Sequence, residues 1–335
     1  MRKTLAVLGL TAAIAGIAAI GIANAQSKEA SIGLITKTES NPFFVKMREG
    51  ASKKAAELGA KFTSASGKFD ADTASQITAI ENMVAGGVNT ILLVAADSKA
   101  LVPSIKKARD AGVMVIALDS PTEPADAVDA LFATDNYEAG LLIGQYAKKL
   151  MGNKKAIIAT IDLSPGPLVG ILRHNGFLAG FGFKGITAKT PNQVNEGVAC
   201  AQDGFGDQAK GQTAMENCLQ KNPDINVVYT INEPDGYGAY QALKNAGKEK
   251  QAIIVSVDGG CNGVRGVQGG QFVATSQQYP LLMASKGVEA GVEFAKTGKR
   301  VSGYVNTGVN LIAAKKLPGI KSQTVKFGLD NCWGQ

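Results

Sequence analysis

The sequence has 335 residues, more than one compact core usually holds, so its length favours two lobes. Its net charge of +7 comes from lysines scattered along predicted helices, which is typical of a solvated surface and argues against a nucleic-acid-binding patch. With one histidine and no Cys-x-x-Cys pair, the sequence predicts no metal site.

The first 25 residues have the three parts of a secretory signal peptide. Arg2 and Lys3 form a positive start, 5–22 is an uncharged apolar run, and Ala23-Asn24-Ala25 has the small-x-small pattern of a cleavage site. An uncleaved membrane anchor is the alternative, because the apolar run is long. We predict cleavage after Ala25, which leaves a mature chain with a net charge of +5 outside the cytoplasm.

Short apolar runs alternate with amphipathic stretches along the rest of the chain. This alternation predicts parallel strands joined by helices, an α/β fold whose sheets are covered on both faces. Asn41 and Pro42 form a good helix start, and Gly59 lies where that helix should stop. The predicted elements are strand 31–35, helix 42–58, strand 61–64, helix 73–85, strand 90–94, helix 100–111, strand 114–118, helix 137–151, strand 156–161, helix 168–180, helix 208–220, strand 227–231, helix 236–246, strand 253–257, strand 273–275 and helix 281–297.

The stretch 79–119 is echoed by 214–258. Each reads as helix, strand, polar turn, helix and strand, and each ends in an aspartate, Asp119 or Asp258. The echo predicts two lobes with similar Rossmann-like sheets, and ligands of such sheets bind beyond the carboxyl ends of the strands. A turn or cap is the simpler role for one aspartate, but the matched positions favour a site where each carboxylate accepts hydrogen bonds from ligand hydroxyls.

Four cysteines in the second half of an exported chain indicate two disulfides. Three pairings of Cys200, Cys218, Cys261 and Cys332 are possible, and the sequence leaves them open. We favour Cys200 with Cys218, which closes a local loop, and Cys261 with Cys332, which pins the C-terminal tail.

Polar and aromatic side chains follow the first strand, in the segment TKTESNPFF that ends at Phe44. Adjacent helical residues point about 100° apart, so one of Phe43 and Phe44 can pack inward while the other faces a cleft. An aromatic face suits the C–H side of a sugar ring, whereas Asn41 and Lys37 suit its hydroxyls.

Three further polar residues are candidates for the site. Arg173 lies on the helix after strand 156–161, where a surface role is the alternative. Asn232 ends a strand, and Gln278 follows one. The lone His174 is predicted to be structural, and no residue is predicted to be catalytic.

A set of motifs makes the chain resemble the sugar-binding proteins of bacterial ABC importers, in the ribose-binding group and closest to the fructose-binding proteins. The motifs are TKTESNPFFVKMREG, GKFDADTASQITAIENMVAGGVNTILL, DSKALVPSIKKARDAGVMVIALDSPT, LFATDNYEAG, GDQAKGQTAMENCLQKNPDINVVYTINEP, SVDGGCNGV and TSQQYPLLMASKGVE. The resemblance covers essentially the whole mature chain. It implies a type I periplasmic binding protein that acts as a monomer without a cofactor, with an importer permease and its ATPase as partners.

The resemblance also implies the ligand site and the lobe boundaries. The implied ligand residues are Asn41, Phe43, Phe44, Asp119, Arg173, Asn232, Asp258 and Gln278. Three implied crossings, near 134–135, 278–279 and 307–308, give a first lobe of 26–134 plus 279–307 and a second lobe of 135–278 plus 308–335.

The chain departs from the ribose-binding pattern at three places. Ribose binders carry an arginine directly after the first-lobe aspartate, where this chain has Ser120, and an asparagine where it has Ala95-Ala96. Their second-lobe aromatic corresponds to Gly206, with Phe205 one place earlier. Because smaller residues leave room for an extra carbon, these changes favour a hexose over ribose, and the resemblance to the fructose-binding proteins implies that the hexose is fructose.

Rival functions fit parts of the sequence. A glycoside hydrolase could use Asp119 and Asp258, but it needs one of them protonated, and we expect Arg173 to hold both ionised. No G-x-G-x-x-G follows the first strand, and the chain has no P-loop and no G-x-S-x-G. A sugar-responsive repressor would begin with a helix-turn-helix, whereas this chain begins with a predicted export signal. The alternative is the same fold with ribose, another hexose or a polyol as its ligand, because the placement of single hydroxyl groups decides the specificity of such a site.

Overall fold

Two six-stranded sheets, each flanked by helices, organise the chain in a computed structural model that describes residues 29–334. The predicted signal peptide, 1–25, lies outside the described residues. The strands are β1 (Ser31–Thr36), β2 (Lys61–Ser66), β3 (Thr90–Leu93), β4 (Met114–Leu118), β5 (Ala130–Ala133), β6 (Ile158–Asp162), β7 (Cys200–Asp203), β8 (Val227–Thr230), β9 (Ile253–Asp258), β10 (Ala274–Gln277), β11 (Gly303–Asn306) and β12 (Asn310–Ala313). The α-helices are α1 (Pro42–Glu57), α2 (Thr73–Ala85), α3 (Val102–Asp110), α4 (Asn136–Met151), α5 (Leu168–Phe181), α6 (Gln208–Lys221), α7 (Glu233–Asn245), α8 (Cys261–Gln268), α9 (Pro280–Thr297) and α10 (Val325–Asn331).

The two sheets have closely similar topologies. The first runs β11-β5-β4-β3-β1-β2 with every neighbouring pair parallel. The second runs β12-β10-β9-β8-β6-β7 and is parallel except for the pair of β10 and β12. Central strands such as β4 (MVIAL) are buried at every position, which explains their continuous apolar sequence. The predicted α/β fold with two similar lobes is confirmed.

The chain passes between the sheets three times, after β5, after β10 and after β11. As a result, α4 packs on β9 and β10 of the second sheet, whereas α9 packs on β1 and β4 of the first. We refer to each sheet with its covering helices as the first lobe and the second lobe.

A close seam between α4 and α5 fixes the position of α5. A Cβ on Gly140 would overlap the carbonyl oxygen of Arg173, and a Cβ on Gly176 would overlap that of Tyr137. Glycine at these places lets the two backbones touch, and this contact fixes how closely α5, which carries Arg173, packs against α4.

Six elements were missing from the sequence prediction, namely β5, β7, β11, β12, α8 and α10. The edge strands β7 (CAQD) and β11 (GYVN) are short and largely exposed, so they lack the apolar run that marks a buried strand. Helix α7 begins at Glu233, three residues before the predicted start, because the side chain of Asn232 caps it by accepting from the Asp235 amide.

The favoured disulfide pairing is the one that the structure contains. Cys200 at the start of β7 is bonded to Cys218 in α6, and Cys261 at the start of α8 is bonded to Cys332 after α10. Within residues 29–334, no helix is both long and apolar enough for a membrane span, and no cluster of side chains could hold a metal ion.

Candidate functional site

All nine residues proposed from the sequence line one cavity between the lobes, beyond the carboxyl ends of the two sheets. The sequence prediction missed four further lining residues. The complete lining comprises Lys37, Asn41, Phe43, Phe44, Asp70, Asp119, Leu163, Val169, Arg173, Ile231, Asn232, Asp258 and Gln278.

Arg173 lies at the centre of the cavity and is almost fully buried. Its Nη2 donates to Asp119 Oδ1 of the first lobe at 3.2 Å and to Gln278 Oε1 at 3.3 Å, and its Nη1 lies 4.0 Å from Asp258 Oδ1. Its Nε donates to Asn136 Oδ1 at 2.7 Å. The planar guanidinium therefore joins two carboxylates from opposite lobes in one network.

Asp119 and Asp258, the aspartates of the sequence echo, both have positive φ, at 60° and 139°. Such backbone angles are unfavourable for residues other than glycine and persist where surrounding contacts impose them. The amide of Asp119 donates to Phe132 O, and the carbonyl of Asp258 accepts from the Gln278 amide, each at 3.0 Å. Both carboxylates approach the guanidinium of Arg173, Asp119 at 3.2 Å and Asp258 at 4.0 Å.

Glu233 holds the turn that directly follows Asp258. Its carboxylate is buried and accepts from the amides of Gly259 and Gly260, at 2.8 and 3.1 Å, and from the Thr275 hydroxyl at 2.8 Å. Burial, and then the nearby Asp258 carboxylate, raise the pKa of Glu233 well above its usual range. A side chain at Gly263 in α8 would collide with Glu233, which shows how tightly this carboxylate is packed against the start of α8.

Burial also raises the pKa of Asp258 to about 7, although Arg173 and the 2.8 Å hydrogen bond from Gln278 Nε2 act in the opposite direction. The sequence-based expectation that Arg173 would keep both aspartates fully ionised is therefore wrong for Asp258. The cost of removing this carboxylate from water exceeds the attraction of one guanidinium at 4.0 Å.

Phe43 and Phe44 form an aromatic wall of the cavity at the start of α1. Their ring centroids are 5.5 Å apart in an edge-to-face arrangement, and both rings are buried. Asn41 caps α1 by accepting from the Phe43 amide at 3.0 Å, so its amide group is the part that can donate to a ligand. We expected one phenylalanine to pack inward and the other to face the cleft, but both also belong to the core of the first lobe.

Lys37 and Asp70 form a buried ion pair at the edge of the cavity, with Nζ and Oδ1 3.7 Å apart. Asp70 was missed by the sequence analysis because it lies in a polar loop after β2, an exposed edge strand. Burial raises its pKa, and within residues 29–334 its Oδ1 has no hydrogen-bond partner. This oxygen therefore has room to accept a hydrogen bond in addition to its ion pair with Lys37.

A wider opening adjoins the cavity and shares Asn41, Asp70 and Asp258 with it. Both lobes line this opening, and so does the C-terminal tail through Trp333. Phe205 also lies in the opening and does not line the inner cavity. The inner cavity therefore connects to the outside through the cleft between the lobes.

His174 has the structural position predicted for it. Its Nδ1 lies 2.8 Å from Asp162 Oδ1 and its Nε2 lies 2.9 Å from the carbonyl oxygen of Val194. A carboxylate and a carbonyl oxygen both accept, so this pair of contacts favours the imidazolium form, in which both ring nitrogens donate. Burial lowers its pKa, but Asp162 and the hydrogen bond to Val194 outweigh burial, and the pKa is raised.

This imidazolium leads to a first testable expectation. A raised pKa in the folded state means that the stabilisation is complete below the usual pKa of about 6.5 and is lost as the pH rises through the raised value. We expect His174→Gln to lower the free energy of unfolding by about 2 kcal/mol at pH 6 and by less at pH 9. Urea unfolding at both pH values measures this, and equal losses would contradict it.

The comparisons with known proteins agree with this geometry. The family model described as a periplasmic binding protein domain matches residues 32–300. A ribose import binding protein of Salmonella typhimurium is 30% identical over 282 residues, which cover 84% of this chain and 90% of that protein. A D-ribose/D-allose-binding protein of Pseudomonas aeruginosa is 28% identical over 325 residues, covering 93% and 98%.

Solved structures show the same arrangement of lobes. The structure of an ABC transporter periplasmic solute binding protein from Actinobacillus succinogenes with bound D-allose is 25% identical, with a TM-score of 0.73, and the match covers 85% of this chain and 98% of that one. An ABC transporter solute binding protein from Burkholderia multivorans is 26% identical, with a TM-score of 0.73 and coverage of 84% and 99%. This chain therefore belongs to the type I periplasmic binding proteins, among the sugar-binding proteins that serve ABC importers.

Proposed function

We propose that this protein binds fructose between its lobes and delivers it unchanged to an ABC importer. The observation that carries the proposal is the convergence of Asp119 and Asp258 on Arg173, beside the aromatic wall of Phe43 and Phe44. Two carboxylates and a guanidinium offer acceptors and donors to ring hydroxyls, while the aromatic wall covers an apolar sugar face.

Closure of the lobes traps the ligand in this proposal. The lobes comprise 26–134 plus 279–307 and 135–278 plus 308–335, and the chain segments between them act as hinges. Arg173 on the second lobe reaches Asp119 on the first only when the lobes are together. A sugar that contacts both lobes binds the closed form more tightly than the open form, and this difference drives closure.

The preference for a hexose rests on the departures from the ribose-binding pattern in the first lobe, at residues that do not themselves line the cavity. Ser120 is fully buried and donates to Asp119 Oδ2 at 3.2 Å, so Asp119 has a small hydroxyl neighbour where ribose binders carry an arginine. Ala95 and Ala96 are also small and buried. The named relatives bind ribose and allose, and one further relative is a D-apiose import binding protein of Actinobacillus succinogenes, so sugars of different size fit this fold.

A panel of sugars tests the proposal. Calorimetric titration with D-fructose, D-ribose, D-allose and D-glucose should give micromolar or tighter binding for fructose, about −8 kcal/mol, and binding at least tenfold weaker for the others. Tighter binding of ribose than fructose would overturn the hexose argument. Conversion of any of these sugars by the protein would overturn the carrier assignment, because the raised pKa of Asp258 also suits a general acid.

Sugar affinity should depend on pH through Asp258. Hydroxyls that donate to the carboxylate favour its ionised form, so binding must release the proton that Asp258 carries below pH 7. We expect the affinity to be greatest at pH 8 and to fall below pH 7, by up to about tenfold per pH unit. Calorimetry at pH 6, 7 and 8 measures this, and a constant Kd would contradict it.

We also propose how the protein is exported and which proteins it meets. Residues 1–25 are removed during export, the mature protein acts as a monomer, and the importer's permease and ATPase receive the closed form. Intact-mass measurement of protein recovered from a periplasmic fraction should fit a chain that begins at Gln26. Light scattering should give the mass of one chain with and without fructose.

A further inference from the structure

The C-terminal tail reaches the sugar site from outside the motifs that carry the family resemblance. Cys332 follows α10 and is bonded to Cys261 at the start of α8, and the Cys261 amide donates to Trp333 O at 3.0 Å. The disulfide and this hydrogen bond fix the backbone of Trp333 to the second lobe.

The side chain of Trp333 crosses to the first lobe. Its ring meets Phe43 edge to face with centroids 5.4 Å apart, and it is 6% exposed within the apolar cluster of the first lobe. Its Nε1 donates to Gln278 O at 2.8 Å, at one of the passages between the lobes. The ring therefore touches the first lobe, the second lobe and a connecting segment.

Both partners of this ring are residues of the site. Phe43 packs against Phe44, and the two form the aromatic wall. Gln278 donates to Asp258 and accepts from Arg173. Displacement of the indole would therefore remove one packing contact from the wall and release the backbone carbonyl of Gln278, the residue whose side-chain amide aligns the charged network.

We propose that Trp333 is a positioning residue for the sugar and that the Cys261–Cys332 disulfide holds it in place. The proposal rests on the function proposed above. Trp333 does not line the inner cavity, so it acts through Phe43 and Gln278. It also contributes a contact between the lobes in the closed form, so its loss should mainly speed sugar dissociation.

Because the sequence contains one tryptophan, its fluorescence reports directly on this contact. We expect D-fructose to change the emission of Trp333 with a midpoint equal to the calorimetric Kd. Reduction of the disulfides should shift the emission to longer wavelength and raise its quenching by acrylamide. Emission that does not change at saturating sugar would contradict a place for the indole between the lobes.

Variants separate positioning from general stability. We expect Trp333→Ala to raise the Kd about 30-fold and Trp333→Phe, which keeps a ring but loses the donor, to raise it about fivefold. The double variant Cys261→Ser/Cys332→Ser should raise the Kd about tenfold, because the tail is then held by noncovalent contacts alone. Stopped-flow measurement should assign most of each change to faster dissociation.

The second disulfide is the matched control. Cys200→Ser/Cys218→Ser removes a cross-link outside the cavity, and we expect it to lower the melting temperature while leaving the Kd within twofold. Each titration is made well below the melting temperature of its variant. Unchanged Kd values for the Trp333 and Cys261/Cys332 variants, with normal binding by the parent protein, would overturn this inference alone. Failure of the parent protein to bind any sugar of the panel would overturn the proposed function as well.

Discussion

Replacement of Arg173 by methionine should reduce sugar affinity by at least 100-fold. The substitution keeps much of the apolar stem but removes the guanidinium that donates to Asp119 and Gln278 and lies beside Asp258. Asp119 and Asp258 would then share no cation, and breaking a buried ion pair in this way typically lowers the free energy of unfolding by about 3–5 kcal/mol. Arg173→Lys keeps the charge but cannot reach the same partners together, so we expect an intermediate affinity.

Calorimetry with the preferred sugar measures this effect, and Arg300→Met is the matched control. Arg300 also pairs with a buried aspartate, Asp129, through contacts of 3.0 and 3.1 Å, but it lies outside the cavity. Asp129 retains Arg109 at 3.4 Å in that variant. We expect the control to keep the parent Kd. Comparable affinity in Arg173→Met and the parent protein would remove Arg173 from the site.

Replacement of Asp258 by asparagine should also reduce affinity by about 100-fold or more, with the fold retained. A carboxylate that accepts two hydroxyls contributes roughly 1.5–3 kcal/mol for each hydrogen bond, and the neutral amide gives up most of this. Asparagine has the same shape, and its oxygen can still accept from Gln278 Nε2.

The same substitution should change the pH dependence in a defined direction. The raised pKa of Asp258 means that the folded protein resists ionisation of this group, so its contribution to stability declines as the pH rises toward 7. Asp258→Asn removes that decline, and we expect its melting temperature at pH 8 to equal or exceed that of the parent. Its Kd should be independent of pH between 6 and 8.

The control for Asp258 is Asp129→Asn, which alters another buried carboxylate. Asp129 accepts from the Val115 amide and pairs with Arg300, so this control should lose stability. Its sugar affinity should stay at the parent value. A lower melting temperature for Asp258→Asn together with parental affinity would show that Asp258 supports the fold and does not bind the sugar.

These expectations describe a site in which buried charge is left partly uncompensated in the absence of ligand. Asp258, Glu233 and Asp70 all have pKa values raised first of all by burial. Arg173 is the principal cation that joins Asp119 and Asp258. Sugar hydroxyls supply the missing hydrogen-bond donors. The ligand therefore replaces the hydrogen bonds with water that these carboxylates lose when the lobes close.

The sequence by itself determined the fold class and most of the cavity lining. Apolar runs alternating with amphipathic helices require parallel sheets, and in a parallel sheet the strand ends meet at one edge. Residues at those ends, such as Asp119, Asn232 and Asp258, were therefore predictable from local pattern. The repeated half-pattern predicted two such edges, one in each lobe.

Only the tertiary structure decided which distant groups touch. Asp70 enters the cavity from a polar loop, and Trp333 reaches Phe43 from almost the other end of the chain. The pKa of Asp258 likewise depends on how completely Glu233, Gln278 and the two lobes exclude water around it. Local sequence patterns fix the direction in which side chains leave a strand or helix. Distances between segments and the depth of burial arise only when both lobes are packed together.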